Sequence, residues 1–201
     1  MISCSLLLLS FLPTALSVSI PADLKPWLVT AVGAGTPSGR SNNPPYSSLR
    51  ISISDPNTIP LGPTRYSTMT SFPPSNATCF LKWNAFNGED PFAKFGAGAA
   101  IPCWSDNFSA GRWSMQLLSQ NVTGYGPSAT RDFRVRYELE ESMILDDGIV
   151  TMTFAGTVGF AVGQELQLVC GASGVCSTGL KQERVPVQVV QKGQVDLFKW
   201  D

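Results

Sequence analysis

Bulky apolar residues recur at every second position along much of this chain, while the helical repeat is not sustained anywhere. Leu49, Ile51 and Ile53 alternate with Arg50, Ser52 and Ser54. Phe133, Val135, Tyr137 and Leu139 alternate with Asp132, Arg134, Arg136 and Glu138, giving one apolar and one charged face. The natural partner of that strand is Ile149 to Thr157, where Val150, Met152 and Phe154 share a side, with Asp146-Asp147-Gly148 as the tight turn of a hairpin. Trp27–Val32, Thr78–Asn84, Arg112–Leu118, Glu165–Cys170 and Val185–Val190 read the same way. About eight to ten half-buried strands separated by Gly/Pro-rich turns predict an all-β chain, a single compact antiparallel β-barrel or sandwich. Closure into a barrel would remove exposed strand edges. The expected inward set, Met115, Leu117, Phe133, Val135, Met152 and Phe154, would fill a core or line a cavity for a small apolar ligand.

Three stretches read as loops: Gly33–Ser47, Asp55–Pro74 and Phe86–Pro102. The 201 residues contain no internal repeat and fit one β-barrel domain over 20–180, followed by further strands or a tail over 181–201.

Residues 1–19 stand apart. The apolar run Ser5–Leu12 is too short to span a bilayer as a helix, and small residues follow at Ala15, Ser17 and Ser19. That pattern predicts a signal peptide cleaved after Ser17 or Ser19, although the segment lacks Lys and Arg. The C-terminal residues are too short and too charged for a lipid-anchor tail, so the expected location is extracellular, with no membrane anchor. Cys4 would leave with the signal peptide, so Cys79, Cys103, Cys170 and Cys176 remain. Of the three pairings open to them, proximity favours Cys79–Cys103 and Cys170–Cys176. Asn76, Asn107 and Asn121 each begin a glycosylation sequon.

Charge and residue types narrow the chemistry. Fourteen Lys+Arg against fifteen Asp+Glu, with no basic run, argue against nucleic acid as a partner. Histidine is absent, which removes Ser-His-Asp and Cys-His catalysis and the commonest zinc and haem ligands. Two carboxylates could still hydrolyse a glycoside, and Glu138, Glu140, Glu141, Asp146 and Asp147 are the candidates. Acids on an outer strand face stay solvated, whereas such catalysis needs their pKa values pushed apart. These acids lack the spacing of a calcium loop. Gly33-Ala34-Gly35 and Gly96-Ala97-Gly98 match no nucleotide fingerprint and read as turns. No catalytic residue, cofactor or metal is therefore expected.

Aromatic residues in or beside the loops are candidate contacts for sugars, flat phenolic ligands or a protein. Phe86, Phe92, Phe95 and Trp104 cluster around Phe86–Pro102, which a Cys79–Cys103 bridge would restrain, making this segment the candidate binding loop.

The order of features is also informative: a Trp27 strand, Thr36-Pro37-Ser38-Gly39-Arg40, Pro45-Tyr46-Ser47-Ser48-Leu49 leading to Asp55-Pro56-Asn57, then a Cys79 strand, Cys103-Trp104, a Trp113 strand, Asp132-Phe133 and a late cysteine pair. Over about Trp27 to Cys176 this resembles the Alternaria major-allergen-like family of fungal secreted proteins. The resemblance implies a compact β-barrel, cysteines paired first with second and third with fourth, and an effector or elicitor role toward plant hosts. It departs from the family in lacking a further cysteine for a covalent dimer, so a monomer or non-covalent dimer is expected. Together these features predict a secreted non-enzymatic protein that binds a host extracellular protein or a cell-wall polysaccharide. A carbohydrate-binding or two-carboxylate glycoside-active protein, and a carrier of a small apolar ligand, are the alternatives.

Overall fold

The computed structural model describes residues 24–64, 66, 68–96, 98–105, 111–146 and 148–199. The expected signal peptide over 1–19, the acceptor Asn107 and the turn residue Asp147 lie outside them.

The fold is all-β, and both disulfides form as proximity favours, with Cα–Cα distances of 4.2 Å for Cys79–Cys103 and 4.0 Å for Cys170–Cys176. One sheet runs in the order β11(Leu166–Cys170), β12(Cys176–Leu180), β1(Trp27–Thr36), β2(Tyr46–Asp55), β5(Ser75–Asn84), β7(Trp104–Ser105), with β13(Val185–Val187) also paired to β1. The other runs β14(Val189–Lys199), β10(Gly148–Ala161), β9(Asp132–Leu145), β8(Arg112–Ser119), β6(Ile101–Pro102). A separate hairpin pairs β3(Ile59–Pro63) with β4(Met69–Phe72). Every strand pairing within these sheets is antiparallel.

The two large sheets form an open sandwich, which corrects the barrel implied by the family resemblance. Around Cys103 the chain steps from one sheet to the other, leaving β6 and β7 only two residues each. So short a pair cannot zip the sheets into one continuous ladder. The other ends, β11 and β14, are terminal strands of their sheets.

The alternation read from the sequence sets the core. Phe133, Val135, Tyr137 and Leu139 are all fully buried, and the partner strand pairs in register from Leu145↔Gly148 to Asp132↔Ala161. Met115, Leu117, Phe133, Val135, Met152 and Phe154 belong to the shared core. In β1 a register shift between Val29 and Ala31 restores the phase, so that Trp27, Val29, Val32 and Ala34 all face inward. Beside Gly156 of β10 the chain around β13 packs tightly: an added Cβ would lie 2.7 Å from Val187 Cγ1 and 2.8 Å from the Gln188 carbonyl.

The expected loops hold more order than their composition suggests. Gly33 and Gly35 lie within β1, the Pro/Ser-rich stretch 55–74 contains the β3–β4 hairpin with Ile59, Leu61 and Phe72 buried, and 86–102 contains α1(Pro91–Phe95). This one-turn helix starts where the Asp90 side chain accepts from the Phe92 amide and Pro91 presets the first turn. Residues 181–199 contribute β13 and β14, which lie in the two large sheets.

Candidate functional site

The two sheets present different outer faces. On the five-stranded sheet, Glu138 and Glu140 point outward and lie 4.0 Å from Lys192 and Arg112, respectively. Opposite charges there answer one another.

On the seven-stranded sheet the outward rows are Tyr46, Ser48, Arg50, Ser52 and Ser54 on β2, and Asn76, Thr78, Phe80, Lys82 and Asn84 on β5. Inward burial of Ala77, Cys79, Leu81 and Trp83 forces Phe80 into solvent, where it is 57% exposed. Trp104, the cross-strand partner of Thr78, is 73% exposed. Thr78, Phe80, Pro102, Cys103 and Trp104 line one shallow cleft of ≈ 340 Å³. Arg50 is the cross-strand partner of Phe80, and Lys82 Nζ sits 4.2 Å from the centre of the Tyr46 ring. The only ionisable side chains on the outward rows of β2 and β5 that bear charge at neutral pH are these two cations. The Cys79–Cys103 bridge holds this edge from its inner side, and the Ser52 and Thr78 hydroxyls lie 3.0 Å apart on the outward rows.

The four aromatics of the candidate loop do not point the same way. Phe86 and Trp104 are exposed, whereas Phe92 packs against the core and Phe95 is buried within it. Trp104 instead shares its cleft with Phe80, a residue outside the Phe86–Pro102 loop. The period-two pattern of 77–83 held the signal, because it assigns Phe80 to the solvated side.

The carboxylates also divide. Glu138 and Glu140 are surface groups, and Asp146 is exposed at the turn. Glu141 faces the interior at 2% exposure, its Oε1 without a hydrogen-bond partner. Burial, and then the charge of Asp55, pushes its pKa up to about 8. Asp55, at 4% exposure, is also raised by burial, although the Asn57 amide and side chain and the Trp27 indole favour its ionised form. Asn57 N and Nδ2 donate to Asp55 Oδ1 at 2.8 and 2.6 Å, while Trp27 Nε1 has no partner at full hydrogen-bonding distance. Trp27 packs edge-on against Trp113 with ring centres 4.6 Å apart, and Trp113 Nε1 donates to Ser75 Oγ at 3.0 Å. A substrate would have to open the sandwich to reach these two acids. Sequence reasoning missed Asp55 because the group it acts on, Glu141, belongs to the other sheet.

Asp132 has a fixed structural task. Its Oδ2 accepts from Val122 N, Thr123 N and Thr123 Oγ1 at 2.7 to 2.9 Å. Burial opposes ionisation of Asp132, but the bonds from Thr123, Gln120 and Val122 outweigh it and lower the pKa. Among the described sequon acceptors, Asn76 is exposed on the Phe80 row, and Asn121 is exposed with its Oδ1 accepting from Gly126 N at 3.0 Å. No group of three or more His, Cys, Asp or Glu side chains among the described residues could hold a metal ion, and no described helix is long and apolar enough to cross a membrane. Comparison of the chain with protein-family models, with curated proteins and with solved structures finds no match.

Proposed function

We propose that this chain is a secreted, non-enzymatic, effector-like protein that binds an acidic cell-wall polysaccharide on the outer face of its seven-stranded sheet. The observation that carries this role is the exposed Phe80–Trp104 pair lining one cleft, with Arg50 and Lys82 on the same face and no carboxylate on the outward rows of β2 and β5. Aromatic rings on a rigid sheet offer broad contact area at low entropic cost to the apolar faces of pyranose rings. Arginine adds a planar fork suited to a uronate carboxylate.

Export is supported by the N-terminal apolar run, the sequons and two disulfides, since such bridges persist in oxidising compartments. The resemblance to the Alternaria major-allergen-like family supports an effector-like role, but the open sandwich departs from its barrel, so the surface bears the greater weight. The absence of catalysis is supported by the outward ion pairs of Glu138 and Glu140 and the sealed position of Glu141 and Asp55.

Retention on cross-linked polygalacturonate, compared with cellulose, tests this role. The wild type should be retained on polygalacturonate, and Phe80→Ala/Trp104→Ala should weaken retention about tenfold or more, as loss of a central aromatic anchor does. Arg50→Gln/Lys82→Gln should reduce both the binding and its sensitivity to salt. Equal retention of wild type and the aromatic double variant would refute the proposal. Capture of one plant extracellular protein through the same face, with neither polymer retained, would replace the polysaccharide with a protein partner.

A further inference from the structure

We infer that an N-linked glycan on Asn76 lies across Trp104 and competes in cis with the external polysaccharide, so that glycosylation sets how much of the binding face is open. The inference rests on the binding role proposed above for that face.

The geometry begins with the sequon Asn76-Ala77-Thr78, which is part of β5 itself. Asn76, Thr78 and Phe80 are successive outward positions on that strand. Thr78 is the cross-strand partner of Trp104, which makes Asn76 the diagonal neighbour of the exposed indole. Diagonal positions on one sheet face lie roughly 7–8 Å apart, within reach of long side chains. The first two rings of an N-glycan extend farther than that, so the indole lies within their reach.

The register is firmly held. Ala77 pairs with Ser105, Ser105 Oγ donates to the Asn76 carbonyl at 3.0 Å, and Cys79–Cys103 closes the same edge. A sugar attached at Asn76 therefore leaves an ordered strand beside the cleft of Thr78, Phe80, Pro102, Cys103 and Trp104. The apolar face of an N-acetylglucosamine ring offers the same stacking chemistry as a wall polysaccharide. A short tether holds it at an effective concentration on the order of millimolar, enough to occupy a weak stacking site without any further contact. An external polymer overcomes this only by engaging Phe80, Arg50 and Lys82 together with Trp104. The glycan is thus a graded cover for the Trp104 end of the face.

The test compares three samples: wild type from a glycosylating secretory host, Asn76→Gln from the same host, and wild type from a host without N-glycosylation. The unmodified wild type guards against a folding defect in the variant. Glycopeptide mass reads occupancy at Asn76, hydroxyl-radical footprinting reads Trp104, and cross-linked polygalacturonate reads binding. Asn76 should be occupied, Trp104 should oxidise about threefold more slowly in the glycosylated protein, and both glycan-free samples should be retained about threefold more strongly. An unmodified Asn76, or an occupied one with Trp104 oxidised equally in all samples, overturns the inference. Equal retention of all three samples that still depends on Trp104 overturns the competition and leaves the binding role standing. Protection of Trp104 with no sample retained overturns both.

Discussion

Two tryptophans with similar sequence surroundings have opposite fates. Trp113 is 2% exposed, stacks edge-on with Trp27 and donates to Ser75, whereas Trp104 stands in solvent. Trp113→Ala should destabilise the fold by about 3–5 kcal/mol, the cost of a large cavity together with a stranded Ser75 hydroxyl. Trp104→Ala should change stability by less than about 0.5 kcal/mol. Urea unfolding of the two variants measures the contrast. Glu141 makes a second prediction at this scale. Its folded pKa of about 8 lies above the ordinary value of 4.5, so the native state holds a proton that the unfolded chain releases between those pH values. Stability from this group therefore falls as pH rises from about 4.5 toward 8. Glu141→Gln should flatten that slope and raise stability at pH 8.5 by on the order of 3 kcal/mol. A wild-type melting temperature that climbs from pH 5 to 8.5, with no gain from the substitution, would contradict this placement of Glu141.

Among the elements, the β9–β10 hairpin was legible because its period-two alternation and its Asp-Asp-Gly turn agree. The same alternation, extended by two residues, assigns Glu140 to the outside and Glu141 to the inside, a distinction that two adjacent glutamates obscure. The β3–β4 hairpin was not legible, because Pro60 and Pro63 argue against a strand while the buried Ile59, Leu61 and Phe72 act through tertiary packing. The helix Pro91–Phe95 is too short to show a period, and only Asp90-Pro91 marks its start. Phe80 was legible from its strand, but its sharing of a cleft with Trp104 depends on the β5–β7 register. Where β10 approaches β13, the sequence shows only a glycine. Gly156→Ala should force the Val187 side chain and the Gln188 backbone away, costing about 1–3 kcal/mol as an overpacked site does. Thermal unfolding of this variant beside Gly193→Ala, which meets nothing within 4 Å, provides the check.

For the whole molecule, the antiparallel β class and the cysteine pairs could be anticipated, whereas the strand number could not, with fourteen strands among the described residues against the eight to ten expected. Openness could not be anticipated either, because closure depends on which edge strands meet. The two-residue strands flanking Cys103 decide that question, and Cys79–Cys103 clamps the place where the chain changes sheets. On the chain-entropy model, loss of this bridge costs about 3.5 kcal/mol and loss of Cys170–Cys176 about 2.4 kcal/mol, so the first paired Cys→Ala variant should melt lower than the second. That ranking also bears on function, because the same bridge supports the face bearing Phe80 and Trp104. The most direct measurement of the central claim is an NMR titration of the tryptophan indole N–H signals with a galacturonan oligosaccharide. The Trp104 signal should move with saturable dependence on ligand while those of buried Trp27 and Trp113 remain in place. Movement of the interior signals with Trp104 unchanged, or no movement of any, would contradict the assignment of binding to this face.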